Sequence, residues 1–279
     1  MITAWMKRLL SGTNRRGRQL DRMYLFLHIP KCAGTSVIQA LSAVSSNRRL
    51  IVSKSPGSKS QAMLDLQQEL TTRNIDPNQL ELIMGHDVFF GMHEISRQTP
   101  YYFTFLREPI GRYISHFRYL ADCAVDPQHS LHEYAKEIMI ESGQLLSFEN
   151  YCQRQQMSNL MTHYLAAANH PDRHSKRWQI ADKQEVWELA EAALRKLDLI
   201  GLVEELPIDL AKICHRLQIP VSIPNTNRSK SATERIESEQ IMQIVRFNNE
   251  LDIRLYELAK QLRGQAAPGQ SAPGGRHAE

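Results

Sequence analysis

Three short segments carry residue types that chemistry needs. In the first, residues 28–37 (HIPKCAGTSV), a lysine and a glycine stand just ahead of a threonine–serine pair. If Thr35 opens a helix, the N–H groups of its first turn point outward, bear partial positive charge and bind anions. Gly34 would let the backbone come close to a phosphate. Lys31 adds a point charge, and Thr35 and Ser36 add hydroxyl donors. The second segment holds Arg107 and, eight residues on, Ser115. An arginine grips a phosphate with two parallel hydrogen bonds, and a serine on the adjoining helix can supply a third. The third is Gly85-His86, followed in the same stretch by His93 and Glu94. Histidine titrates near neutrality, so His86 suits removal of a proton from an attacking hydroxyl. Together these residues suit a small molecule with two anionic ends, held beside a base.

The lysine loop is not a Walker A loop. That motif ends in Gly-Lys-Ser/Thr, which occurs nowhere in the chain. No clear aspartate for a Mg²⁺ site closes another strand, and no metal is expected. A loop without the metal apparatus fits a phosphosulfate better than an ATP γ-phosphate. This counts against a nucleotide-dependent kinase, the first alternative. A non-catalytic nucleotide-binding protein is the second, and the presence of both Lys31 and His86 speaks against it.

The elements that must position these residues are legible as apolar patterns. Residues 23–29 form an apolar run with aromatic and branched members, as a buried parallel strand requires, and Pro30 ends it. Val37, Ile38, Leu41 and Val44 then recur at helical spacing. Residues 50–53 suit a short strand and 61–70 a helix. Residues 80–84 and 101–106 are further apolar runs, ending at Gly85-His86 and at Arg107. Pro109 fits the first position of the next helix, read through Leu120. Helical patterns follow at 129–141, 155–166, 182–196, 205–217 and 238–262, interrupted by a strand at 197–202. Strands alternating with helices predict an α/β fold: a P-loop-like three-layer sandwich with a central parallel sheet, and a helical C-terminal half. Ligands of such sheets bind beyond the carboxyl ends of the strands, where Lys31, His86 and Arg107 converge.

The chain has 279 residues, 42% hydrophobic and 23% charged, an ordinary globular balance. Its net charge of +4 sits partly in a basic N-terminal tail, residues 1–22. The main domain is read as 23–262 and a Gly/Pro/Ala/Ser-rich tail as 263–279. No basic stripe with interleaved aromatics suggests nucleic acid as a partner. The four cysteines lack paired spacing, so reduced thiols in a cytoplasm are expected. Residues 1–10 suit either a frayed end or a short amphipathic helix making peripheral membrane contact. His129 and His132 form an H-x-x-H, and His170 and His174 flank a turn; all four are read as solvated.

The loop at residues 28–36 resembles the 5′-phosphosulfate loop of carbohydrate sulfotransferases that use 3′-phosphoadenosine 5′-phosphosulfate (PAPS), the class related to heparan sulfate 2-O-sulfotransferase and its bacterial relatives. That resemblance covers about residues 23–262. The family usually has threonine where Cys32 stands. It implies that Lys31, Cys32, Ala33, Gly34, Thr35 and Ser36 hold the donor's 5′ end and that Arg107 and Ser115 hold its 3′-phosphate, with Arg112 a weaker candidate. The Gly85-His86 segment is similar to the family's Gly-His segment, which makes His86 the base, with His93 and Glu94 as reserves near the acceptor. Residues 159–165 resemble a segment near the acceptor, so Asn159 and Thr162 are expected to touch a sugar; His163 stands where an arginine is common. A polar loop at 225–231 resembles one that folds over the donor, with Arg228 and Lys230 as contacts. The implied products are a sulfated carbohydrate or other hydroxyl compound and adenosine 3′,5′-bisphosphate.

Overall fold

Every residue of strand β1 (Arg22–Leu27) after Arg22 is buried, as a strand covered on both faces must be. The computed structural model describes residues 21–52, 58–154, 157–170, 182–222 and 238–265. Within them β1 is followed by α1 (Gly34–Leu41), β2 (Arg49–Val52), α2 (Lys59–Thr72), β3 (Leu82–Gly85), β4 (Thr99–Leu106) and α3 (Pro109–Val125). Then come α4 (His132–Met139), a hairpin of β5 (Ile140–Glu141) and β6 (Gln144–Leu145), α5 (Phe148–Arg154), α6 (Leu160–Asn169) and α7 (Lys183–Lys196). The last elements are β7 (Leu199–Leu202), α8 (Leu206–Leu217), α9 (Glu239–Asn248) and α10 (Glu250–Gln265).

The main sheet has five parallel strands in the order β2-β3-β1-β4-β7. Side chains alternate between two cores. Tyr24, Phe26, Leu82, Met84, Phe103 and Phe105 face α1 and α8. Met23, Leu25, Leu27, Ile83, Tyr102 and Leu106 face a larger core built with α2, α3, α6, α7 and α10. This is the expected layered α/β arrangement of a parallel sheet flanked by helices. The chain leaves β1 toward β2 on one side, while β4 lies against the other side of β1. The crevice at the carboxyl ends of β1 and β4 is therefore the topological switch point, where such sheets bind ligands.

Three element readings are corrected. The helix expected at 155–166 is α6, which begins at Leu160 behind Asn159 (φ 51°) and runs on to Asn169. The stretch 238–262 is two helices, breaking at Asn249. Part of 129–141 is the β5–β6 hairpin, whose turn residues Ser142 and Gly143 both have positive φ. A two-residue turn with that geometry matches the right-handed twist of its strands. No helix among the described residues is long and apolar enough to cross a membrane.

Candidate active site

The loop after β1 closes on itself before the helix begins. The Cys32 N–H donates to the Ile29 carbonyl at 3.3 Å. Lys31 (φ 66°) and Ala33 (φ 58°) both adopt the left-handed conformation, which costs on the order of 1 kcal/mol or more for a non-glycine residue. Left-handed residues placed this way turn backbone N–H groups into a shared concavity that suits an anion. Helix α1 then starts at Gly34 with Ala33 as N-cap and no side-chain cap. Its first-turn N–H groups thus lack the side-chain acceptor that usually covers them. Thr35 is exposed at this helix start, and Ser36 is buried behind it.

Two loop residues act differently from the sequence reading. The Cys32 side chain is 1% exposed and lies in the larger core, where burial pushes its thiol up to about 12. With its N–H bonded to Ile29, Cys32 shapes the loop from below. Gly34 makes room for a side chain: a Cβ there would lie 1.6 Å from Nε2 of His28. The absent side chain accommodates the His28 ring, which is stacked 4.0 Å from the His86 ring.

Arg107 follows the last residue of β4, and its Nη1 donates to the Lys31 carbonyl at 3.4 Å. The two donor motifs thus meet across the β1–β4 crevice. Gly111, Ser115 and Tyr119 recur every four residues on α3 and so share a helix face. A Cβ on Gly111 would stand 3.8 Å from Nε of Arg107. Further along that face, the Lys31 ammonium sits 4.0 Å from the centre of the Tyr119 ring. Ser115 lies between them, half-buried. Burial, and secondly the Arg107 charge, hold the Lys31 amine below its ordinary range. Among the described residues no carboxylate forms an ion pair with Lys31 or Arg107. The N-terminus of α3 itself is closed, because Glu108 accepts from the N–H groups of Ile110 (3.0 Å) and Gly111 (2.6 Å).

His86 lies just past β3, beside the same loop. Its Nδ1 is 2.9 Å from the carbonyl oxygen of His28. A carbonyl only accepts, so Nδ1 carries the proton and the basic lone pair belongs to Nε2. The ring also meets Tyr164 of α6 edge-on at 6.1 Å, and His28, His86, Val88 and Tyr164 line one small cavity. His28 is kept neutral: burial first, then the charges of His86 and Lys31, lower it to about 3.

The reserve and acceptor residues fall elsewhere. Nδ1 of His93 is 3.0 Å from the Tyr102 hydroxyl, which itself donates to the Phe89 carbonyl; the His93 ring N–H is therefore the donor of that pair. Tyr102 is four residues short of the end of β4, so His93 is tied below the crevice rim. Glu94 is exposed on the short turn Met92–Ile95. Asn159 and Thr162 are corrected from sugar contacts to structural anchors. The Asn159 side-chain oxygen accepts from the N–H groups of Leu251 (2.9 Å) and Asp252 (3.1 Å). Thr162 is 0% exposed and donates to Asp252 at 2.7 Å. Arg112 is corrected likewise: it is 0% exposed, 3.7 Å from Asp252, and donates to the Met157 carbonyl at 3.1 Å. His129 and His132 are half-buried and have specific partners: His129 Nε2 lies 3.6 Å from the Cys123 thiol and His132 Nδ1 donates to the Cys123 carbonyl at 3.2 Å. Arg228, Lys230 and His174 lie outside the described residues.

Sequence reasoning passed over His28, Tyr119 and Tyr164 as site residues. The four-residue spacing from Ser115 to Tyr119 was the available signal for one of them.

Comparison with known proteins bears on this site. No curated protein matches the chain. Among solved structures it is similar to mouse sulfotransferase SULT7A1 complexed with PAP, at 13% identity and a TM-score of 0.39, over 88% of this chain and 89% of that one. The sulfotransferase family matches residues 21–259. That span contains the uncapped helix start, the Lys31–Arg107 crossing and His86, and the chain belongs to the sulfotransferase family.

Proposed function

We propose that this chain transfers the sulfuryl group of PAPS to a hydroxyl of a carbohydrate. The observation that carries the reading is the crossing of Lys31 and Arg107: two cationic residues at one switch point, the Arg107 guanidinium donating to the Lys31 main-chain carbonyl at 3.4 Å, with no carboxylate in ion-pair contact among the described residues. Such a pair is relieved by a polyanion that reaches both charges. Membership of the sulfotransferase family supports the reaction class, and the resemblance of the 28–36 loop to carbohydrate-type enzymes supports the acceptor class. The four cysteines are buried and none is paired in a disulfide, and a cytoplasmic setting is part of the same proposal.

In this reading the start of α1 and Lys31 hold the 5′-phosphosulfate, and Arg107 with Ser115 holds the 3′-phosphate. Nε2 of His86 accepts the proton of the acceptor hydroxyl as its oxygen attacks sulfur. The bond from sulfur to the bridging oxygen breaks, and adenosine 3′,5′-bisphosphate leaves. Lys31 offsets the negative charge that grows on that bridging oxygen. Isothermal calorimetry tests the donor half. Adenosine 3′,5′-bisphosphate should bind about 10- to 100-fold more tightly than AMP, the worth of one set of charge-assisted hydrogen bonds, and Arg107→Ala should erase the difference. Equal affinity for both nucleotides in the unmodified protein would end the assignment. Labelled PAPS offered with polysaccharides, lipid-linked sugars and small alcohols tests the acceptor half; transfer only to a non-sugar alcohol would remove the carbohydrate.

A further inference from the structure

Resting on the reading of Lys31 as a donor contact, we propose that Tyr119 is a positioning residue, whose ring face holds the Lys31 ammonium beside the donor loop. The ammonium lies 4.0 Å from the ring centre, well inside the range of roughly 6 Å over which a ring face attracts a cation. The ring is itself held. It meets the His129 ring edge-on, with centres 5.7 Å apart and planes at 82°. Cys123 stands one turn further along α3, on the helix face that Tyr119 occupies. Cys123 is fixed in turn by His129 at its sulfur and by His132 at its carbonyl. The H-x-x-H pair, unexplained by the donor chemistry, thereby becomes the frame around Tyr119.

A ring does here what a carboxylate could not. Lysine is a flexible stem with a mobile charge, and an anion-binding loop needs that charge in one place. An aspartate or glutamate would place it but would also neutralise it. A π face places it and leaves the full positive charge for the incoming anion. Asp122, the residue before Cys123, ranks behind burial, the Arg107 charge and Cys123 in setting the Lys31 amine.

The test reads Lys31 directly and needs no sulfuryl transfer. The full chain is prepared with Tyr119 replaced by Phe, by phenylalanines of increasing ring fluorination, and by Leu. Without donor, the rate at which an amine-reactive ester acylates Lys31 is followed by mass spectrometry, and circular dichroism identifies the folded variants. Tyr119→Phe should react within about twofold of the parent, because the face is kept. Acylation should quicken steadily with fluorination, which weakens the negative face at nearly constant shape, and be several-fold faster at the fully fluorinated ring. Tyr119→Leu should be as fast. A constant acylation rate across the folded fluorinated series overturns the proposal, since a shape-only role would give that result. A graded series in a protein that fails to bind adenosine 3′,5′-bisphosphate would uphold the Tyr119 contact and remove the sulfuryl-transfer reading alone.

Discussion

The ring of His86 donates through Nδ1 to the main-chain carbonyl of His28 at 2.9 Å, while the His28 N–H donates to the Gly85 carbonyl at 3.0 Å. The side chain thus carries the β1–β3 ladder one bond past its last paired residues, Leu27 and Gly85. The tautomer this imposes leaves Nε2 as the proton acceptor. His86→Ala should lower kcat by about 10²- to 10⁴-fold, the usual worth of general base catalysis. His86→Asn can keep a donor toward His28 but has no base, and it should fall as far. His93→Ala should cost less than about tenfold, because His93 is spent on Tyr102. Steady-state kinetics on the three variants decides between the histidines. A large loss at His93 beside a small one at His86 would transfer the role.

A second consequence concerns acid stability. His28 is held near 3 when folded, against 6.5 when unfolded. Below about pH 6.5 the unfolded chain takes up a proton that the native chain refuses, so stability must fall with pH through the window from 6.5 toward 3. Above 6.5 neither state binds this proton and the effect is absent. At pH 5 the loss is on the order of 2 kcal/mol from this one group. Buried His116 is lowered too, by burial and the Arg112 charge, and adds in the same direction. His28→Phe keeps an aromatic face between Phe26 and His86 but cannot titrate. Urea unfolding at pH 7 and pH 5 should show a fall smaller by about 2 kcal/mol in that variant. Identical falls in both proteins would mean that His28 is protonated in the native state.

The contact between Gly34 and His28 predicts non-additivity. A Cβ on Gly34 would overlap the ring of His28, which cannot swing aside because it is stacked between Phe26 (5.6 Å) and His86 (4.0 Å). Gly34→Ala should destabilise by about 1–3 kcal/mol through overpacking. With His28→Ala in the same chain the new methyl gains space, so the double variant should be more stable than the sum of the singles by about 0.5–3 kcal/mol. Thermal unfolding of the four proteins gives the coupling. Strict additivity would mean that Gly34 is needed for its backbone alone.

The sheet was legible because its strands are apolar runs set between helical patterns, and Lys31, His86 and Arg107 could be placed at strand ends from their positions alone. Other features were hidden for physical reasons. Lys31 and Ala33 adopt left-handed backbone without being glycine, so nothing in their identity marks the anion concavity. Gly34 looked like a phosphate-approach glycine because its actual neighbour, His28, packs against it only after the loop has closed. The Lys31–Tyr119 contact joins residues far apart in sequence and exists only once the loop lies on α3. Asn159 caps a helix 92 residues away, a partnership that no local pattern encodes.

That long-range cap belongs to a buried junction whose disruption should separate stability from activity. Asp252 is 0% exposed and accepts from the Thr162 hydroxyl (2.7 Å) and from the N–H groups of Thr162 (2.8 Å) and Met161 (3.2 Å), with Arg112 3.7 Å away. Removing the carboxylate would leave Arg112 charged and uncompensated in the interior, where breaking a buried pair costs about 3–5 kcal/mol. Asp252→Ala should therefore unfold much more readily than the parent. Thr162→Val keeps the shape, loses one hydroxyl bond and should cost about 1 kcal/mol. Because Thr162 is shut away from solvent, that variant should show a lower Tm and an unchanged KM for the acceptor. A raised acceptor KM in a Thr162→Val protein of normal Tm would return Thr162 to the binding surface and refute the structural assignment.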